Sequence, residues 1–285
     1  MLLLADPGFD ARPISADVLR IDAAAVAREI ADAIRDQVRR RLRRRGAVLG
    51  LSGGIDSSVT AALCVSALGP DKVLAVFMPE YDSDPDSLRL ARNLAGRLSI
   101  ESVVEDIGPI LTAAGCYERR DAAIRTVVPD YDAGWKCKVV LPGPLQGGSY
   151  NISWLVVQSP DGESRRVRLP LDAYLGMVAA TNMKQRIRKQ IEYYHADRLN
   201  YAVAGTPNRL EYDQGFFVKN GDGAADFKPM AHLYKSQVYQ LAEILDIPDE
   251  IRRRLPTTDT WSLAQTQEEF YFALPIVRWT CASMA

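Results

Sequence analysis

Residues 46–69 read GAVLGLSGGIDSSVTAALCVSALG. An apolar run passes through Gly53 and Gly54 into a helical pattern, so the stretch predicts a strand, a tight loop and a helix opening near Asp56. A helix that opens there points unbonded backbone N–H groups and the positive end of its dipole at whatever lies in front. The chemistry this favours is anion binding, with phosphate the best-suited anion. Ser52, Ser57 and Ser58 add hydroxyl donors, and Asp56 adds a carboxylate suited to Mg²⁺ beside phosphates. It is not a loop of the G-x-x-x-x-G-K-[ST] kind, because no lysine follows the glycines.

A second concentration of chemistry lies at 205–248, GTPNRLEYDQGFFVKNGDGAADFKPMAHLYKSQVYQLAEILDIP. Glu211 follows a predicted strand. A second carboxylate across the sheet end from Asp56 is what a Mg²⁺ bridging phosphates needs. Lys219 and Lys235 are point charges able to neutralise charge building on a phosphate and its leaving group. Gly221 and Gly223 flank Asp222, either as a plain turn or to let backbone approach a ligand. His195 and His232, the only histidines, have no partner at metal-ligand spacing and read as structural.

These residues need a frame. AVLGLS (47–52), VLAVFMP (73–79), ESVVEDI (101–107) and YAVAGT (201–206) are short apolar runs separated by helical patterns. Strands without polar alternation are buried on both faces, which predicts a doubly wound, Rossmann-like α/β fold with a parallel sheet and its ligands at the strand C-terminal ends. The stretch 117–170 breaks the rhythm: SYNISWLVVQSPDGESRRVRLP reads as a β-hairpin around PDGE, inserted into one domain spanning 1–285. A long helical pattern, 172–199, then leads into the fourth strand. The terminal PIVRWTCASMA has no period and is expected to fray.

With 285 residues, 47% hydrophobic and 25% charged, the chain can bury a sizeable core. Its net charge of −1 gives no global field for nucleic acid or an acidic membrane, and neither is expected as a partner. Seven arginines between Arg35 and Arg45 close a predicted helix over 22–45 and read as a solvated face. Cys64, Cys116, Cys137 and Cys281 are scattered, as in a reducing, cytoplasmic protein. No apolar run approaches a membrane span, and the apolar run of MLLLADPGFD is too short for the core of a signal sequence and meets acids at once, so no targeting segment is expected.

SGGIDSS resembles the pyrophosphate loop of the N-type ATP pyrophosphatases, whose fold is that of the adenine-nucleotide alpha hydrolases. That loop alone leaves open NAD, GMP, asparagine and argininosuccinate synthetases and tRNA thiolases. The second half resembles the NAD synthetase signature through Gly205, Thr206, Glu211, Lys219, Gly221, Asp222, Gly223, Asp226, Lys235 and Ser236, and upstream through Asn182, Arg186 and Arg188. The resemblance covers about residues 20–115 and 171–270. Thr258 and Gln267 depart from the pattern, where an alanine and an acid are usual.

The resemblance implies that a carboxylate attacks the α-phosphate of ATP and that ammonia then displaces AMP, converting nicotinic acid adenine dinucleotide to NAD. It implies ATP contacts from Ser52, Gly53, Gly54, Asp56, Ser57, Ser58, Met78, Thr206, Lys235 and Ser236. Acceptor contacts would come from Asn182, Arg186, Arg188, Lys219, Asp222 and Asp226. Asp56 and Glu211 would hold Mg²⁺, and Asp56, Lys219 and Lys235 would serve catalysis. It also implies a homodimer with the acceptor across the interface; the 117–170 insertion, which the resemblance does not explain, must cover its own domain or a partner subunit, and packing at the dimer interface is expected. No glutaminase domain fits beside the synthetase core, so ammonia would arrive free or from a separate glutaminase chain. The alternatives are the same chemistry on another carboxylic acid, or a degenerate nucleotide-binding protein.

Overall fold

The run AVLG forms β1 (Ala47–Gly50), and VLAVF forms β2 (Val73–Phe77), in which every residue is buried. The computed structural model describes residues 16–141, 153–257, 260–265 and 269; Thr258, Gln267, Cys281 and the terminal stretch expected to fray lie outside them. With β3 (Glu101–Val104) and β7 (Ala202–Val203) these strands form a parallel sheet in the order β3-β2-β1-β7. β3 differs from the expectation of strands buried on both faces. It is an edge strand, and its residues are mostly exposed.

Alternate residues of the sheet feed two cores. Ala47, Leu49, Ala75 and Phe77 pack with α1 (Ala23–Arg35), α2 (Ile55–Leu68), α3 (Pro85–Arg97) and α8 (Lys235–Ile244) through Ile34, Leu63, Leu94 and Val238. Val48, Leu74, Val76 and Val203 face the other way, onto Ala196 of α6 (Leu171–Leu199). α4 (Gly108–Ala113) adds Leu111 beside α6 on that second face. Helices therefore cover both faces, and the strand order reverses at β1. The crevice for a ligand opens between the C-terminal ends of β1 and β7.

Local sequence explains the boundaries. The Asp22 carboxylate accepts from Ala25 N–H at 2.9 Å to open α1, and the Asp84 carboxylate caps α3 ahead of Pro85. Gly69 closes α2 at φ 89°, a left-handed conformation that suits glycine. The helix expected over 22–45 is α-helical only to Arg35 and then widens into a π turn, Asp36–Arg41. That turn keeps Val38 fully buried while Arg40 and Arg41 pair with Asp36 in solvent. Among the described residues no helix is long and apolar enough to cross a membrane.

The insertion is larger than a hairpin. β4 (Lys136–Val140) joins the expected pair, β5 (Trp154–Gln158) and β6 (Ser164–Arg168), in an antiparallel sheet ordered β4-β5-β6. The apolar run at 154–157 alternates: Leu155 and Val157 are fully buried, whereas Trp154 and Val156 are half-buried. Leu155, Val157, Cys137 and Val139 pack on Ile124 of α5 (Cys116–Arg125) and on Ala173 and Met177 of α6. Of the two covers expected for the apolar run, its own domain or a partner subunit, the structure shows the first. The run's inward face covers the chain's own helices, because the β4 partner and the α5–α6 pair supply the surface a lone ribbon would lack.

Leu155→Ala should therefore lower the unfolding free energy by about 2–5 kcal/mol, the range for emptying a packed leucine site. Urea unfolding followed by tryptophan fluorescence measures this. A variant as stable as the wild type would show that the inner face of the sheet adds nothing to the core.

Candidate active site

Gly50 at the end of β1 and Gly53 in the loop are held by contacts that leave no room for larger residues. Gly53 sits at φ 75°, and a Cβ there would lie 2.6 Å from the Ser87 carbonyl oxygen. At Gly50 a Cβ would stand 2.9 Å from both Glu192 Oε1 and the methyl of Met78. The serine hydroxyls bond within the loop itself. Ser58 is fully buried and donates to the Gly54 carbonyl at 2.7 Å; Ser57 donates to the same oxygen at 3.1 Å and meets Ser52 Oγ at 3.1 Å. They fold the loop, and its open side presents Ser52, Gly54, Asp56 and Ser57 to a cleft of about 710 Å³.

Opposite the loop, β7 leads through Gly205 and Thr206 to Asn208, which is 2% exposed and caps α7 (Arg209–Asp213). Asn208 Oδ1 accepts from the N–H groups of Leu210 and Glu211 at 3.0 and 3.4 Å. Its own N–H donates to Glu211 Oε2 at 3.0 Å, and its Nδ2 donates to Asp56 Oδ1 at 3.2 Å. Lys235, at the first turn of α8 and 3% exposed, forms an ion pair with Asp56 Oδ2. One buried ammonium and two carboxylates thus converge from the starts of three helices.

Their electrostatics are coupled. Burial first, and then the Asp56 charge, push the Glu211 carboxyl up to about 8, against the pull of Lys235. Burial pulls Lys235 down, but Asp56 and Glu211 outweigh it and leave the ammonium above its ordinary value. Glu192 and Asp222, which also line the cleft, are raised chiefly by burial. Lys189 Nζ answers Glu192 Oε2 at 2.7 Å.

Of the residues singled out in the sequence, the structure gathers Ser52, Gly54, Asp56, Ser57, Met78, Asn182, Arg188, Thr206, Glu211, Asp222 and Lys235 around this cleft. Others it places elsewhere. Lys219 is exposed on a turn outside the lining, and its carbonyl accepts from Arg186 Nε at 3.2 Å. Gly53 and Ser58 lie behind the loop surface. Asp226 braces the sheet, its Oδ2 accepting from Val203 N–H at 2.8 Å and its Oδ1 from Tyr193 at 3.3 Å. Ser236 Oγ is buried with no hydrogen-bond partner among the described residues. His195 is structural, paired with Glu105 at 2.8 Å.

Sequence reasoning missed Asn208, although N-x-x-E ahead of a helix is a legible capping box. It also missed the buried centre at Lys184, 1% exposed. Lys184 Nζ bonds Glu80 Oε1 at 2.9 Å, Asp82 Oδ2 at 2.5 Å and the Thr260 carbonyl at 2.8 Å. Arg120 pairs with Asp82, and Tyr117 donates to Glu80 Oε2 at 2.8 Å. No motif marks this lysine among the cations of α6.

A family model described as NAD synthase matches residues 26–127 and 170–273. The stretch between the two matches holds all three strands of the antiparallel sheet. An NH(3)-dependent NAD(+) synthetase of Rhizobium rhizogenes is 68% identical over 265 residues, 93% of this chain and 80% of that one. One from Thermotoga maritima is 38% identical over 215 residues, 75% of this chain and 71% of that one. An NMN synthetase structure from Francisella tularensis superposes with a TM-score of 0.62 at 25% identity, covering 87% of this chain and 81% of that one. The NH3-dependent NAD synthetase of Campylobacter jejuni gives 0.59 at 25%, covering 84% and 80%.

The raised Glu211 carboxyl has a definite sign for stability. The folded protein holds a proton that the unfolded chain releases near its ordinary value of 4.5, so Glu211 lowers stability as pH rises from there to about 8 and no further. Glu211→Gln removes this dependence and should gain on the wild type between about pH 5 and about pH 9 in urea melts with chelator present. Parallel stability curves for the two proteins would show that Glu211 titrates ordinarily.

Proposed function

The chain belongs to the NAD synthase family, and we propose that its cleft carries out the ATP-dependent, ammonia-dependent amidation of nicotinic acid adenine dinucleotide to NAD, with release of AMP and pyrophosphate. The observation that carries the reading is the convergence of Asp56, Glu211 and Lys235 beside the glycine loop. The enzyme is a ligase forming a carbon–nitrogen bond.

The donor set fits Mg²⁺. Two carboxylates, one raised by burial and by the charge of the other, make a pair that a divalent cation would relieve. Among the described residues no cluster of three or more acidic, histidine or cysteine ligands forms. Mg²⁺ takes one or two carboxylates and completes its shell with water and phosphate oxygens. Asp56 and Glu211 would hold it, and it would supply charge neutralisation for the ATP phosphates.

The chain's own groups do the rest. The loop's open face and the first turn of α2 receive the phosphates through backbone N–H groups. With ATP fixed, the acceptor carboxylate attacks the α-phosphate and pyrophosphate leaves. Lys235 stabilises the charge that builds on these oxygens, in a walled site where such stabilisation is strong. Ammonia then attacks the acyl-adenylate carbonyl and AMP departs. Arg188, Asn182 and Asp222 in the cleft, with Arg186 and Lys219 side by side beyond it, are the groups we assign to the acceptor, a substrate long enough to extend past the cleft.

We further propose a cytoplasmic homodimer, supported by the exposed apolar residues Leu171, Leu175 and Tyr194 along α6. Ammonia would be taken free or from a separate glutaminase chain. A second reading, the same chemistry on another carboxylic acid, is favoured by the likeness to the protein named NMN synthetase.

Ammonia-dependent pyrophosphate release with a panel of acids tests the assignment: the dinucleotide should exceed the corresponding mononucleotide and simple acids in kcat/KM. A better mononucleotide would select the second reading, and no turnover with any acid would refute both. Asp56→Ala and Glu211→Ala should each abolish AMP formation, Glu211→Ala with the fold intact and Asp56→Ala with a lowered melting temperature, since it leaves the Lys235 ammonium without its carboxylate. Lys235→Met should lower kcat by about 100-fold or more while KM for ATP changes little, because its contact strengthens as pyrophosphate leaves. A raised KM with unchanged kcat would make Lys235 a ground-state binding group.

A further inference from the structure

The two oxygens of Asp56 have different partners. Oδ1 accepts from the neutral amide of Asn208 at 3.2 Å. Oδ2 is engaged by the Lys235 ammonium, which makes no other ion pair among the described residues. The Lys235 side chain is 4% exposed and that of Asp56 20%, so the ammonium lies on the protein side and the carboxylate opens to the cleft. An oxygen that answers a buried ammonium has part of its charge and one lone pair engaged, and a second cation brought onto the same carboxylate is repelled by the first at close range.

We propose that Lys235 and the divalent cation compete for Asp56, and that Asn208 is the positioning residue that keeps Asp56 and Glu211 in register while the partner changes. The inference rests on the assignment of Mg²⁺ to Asp56 and Glu211. Asn208 is suited to the role because it touches both acids by independent bonds, its N–H to Glu211 Oε2 and its Nδ2 to Asp56 Oδ1. Its own Oδ1 is fixed by two N–H groups of α7. Being neutral, the amide does not contend with a cation for the carboxylate charge.

Competition couples two events. Lys235 is released toward a phosphate only as Asp56 is taken by the metal, and by linkage a bound ammonium weakens the metal to the same degree. The lysine thereby reports on the cation before any chemistry occurs.

Mn²⁺, followed as the free ion by electron paramagnetic resonance without nucleotide, tests the exchange. Lys235→Met should bind Mn²⁺ about tenfold more tightly than the wild type, although it turns over more slowly. Lys235→Gln, which keeps a donor for Oδ2 but no charge, gives the same reading if the Met variant does not fold. Lys235→Arg, with the charge retained, should match the wild type. Asn208→Ser keeps a capping oxygen but is too short to reach Asp56, and should bind Mn²⁺ several-fold more weakly with little change in melting temperature. Mn²⁺ binding that is lost in Asp56→Ala yet unchanged or weaker in the neutral Lys235 variants would overturn the competition alone. Wild-type Mn²⁺ binding that survives Asp56→Ala, or no binding with or without an ATP analogue, would overturn the metal assignment beneath it.

Discussion

A lysine ammonium withdrawn from water needs a carboxylate in contact, because the desolvation of an unpaired charge is of order several kcal/mol. Lys235 and Asp56 meet that requirement for each other. The ion pair ties the first turn of α8 to the first turn of α2, and Asn208 extends the tie to α7. Three segments far apart in sequence are thus drawn to one point at the C-terminal edge of the sheet. The order β3-β2-β1-β7 makes this possible, since only the reversal at β1 sets the loops after β1 and β7 side by side. A site of this kind is a property of topology before it is a property of any residue.

The same economy of charge recurs deeper in the molecule. Among the described residues Lys184 is the most enclosed cation, and it joins the loop after β2 to α6 and to the backbone at Thr260. Arg120 brings in α5 through Asp82. Where the Asp56 centre opens to the cleft, the Lys184 centre is closed: Glu80 is 6% exposed and its oxygens are taken by Lys184 and Tyr117. One set of charges is arranged to exchange partners, the other to hold the cleft wall together.

Much of this was legible in the sequence, for physical reasons that differ by residue. β1 and β2 declare themselves because burial on both faces demands unbroken apolar runs, and Gly53 because its φ excludes a side chain. Asp56 stands out as the carboxylate that opens a helix after the glycine loop, whereas Glu211 and Lys235 stand out only through the resemblance to the NAD synthetase signature. β3 was legible as a strand but not as an edge, which depends on what lies beside it. β4 stayed hidden because KCKVV mixes charge with apolar residues, and its pairing with β5 depends on a partner many residues away. Where Lys219 stands relative to Asp222 was not legible: the turn from Val218 to Gly223 sends Asp222 to the cleft and Lys219 to solvent, a choice set by backbone direction rather than by composition.

The 29-residue helix α6 carries the inserted sheet on Ala173 and Met177 near one end, and presents Arg188, Lys189 and Glu192 to the cleft further along. At about 1.5 Å per residue it is a rod roughly 40 Å long, and a helix is stiff along its axis. The inserted sheet and the cleft floor are consequently mounted in series on one beam. A repacking under Leu155 that slides the beam by a fraction of an ångström displaces the cations of the floor by the same distance, so drift in the insertion is recorded as a change of alignment at the site.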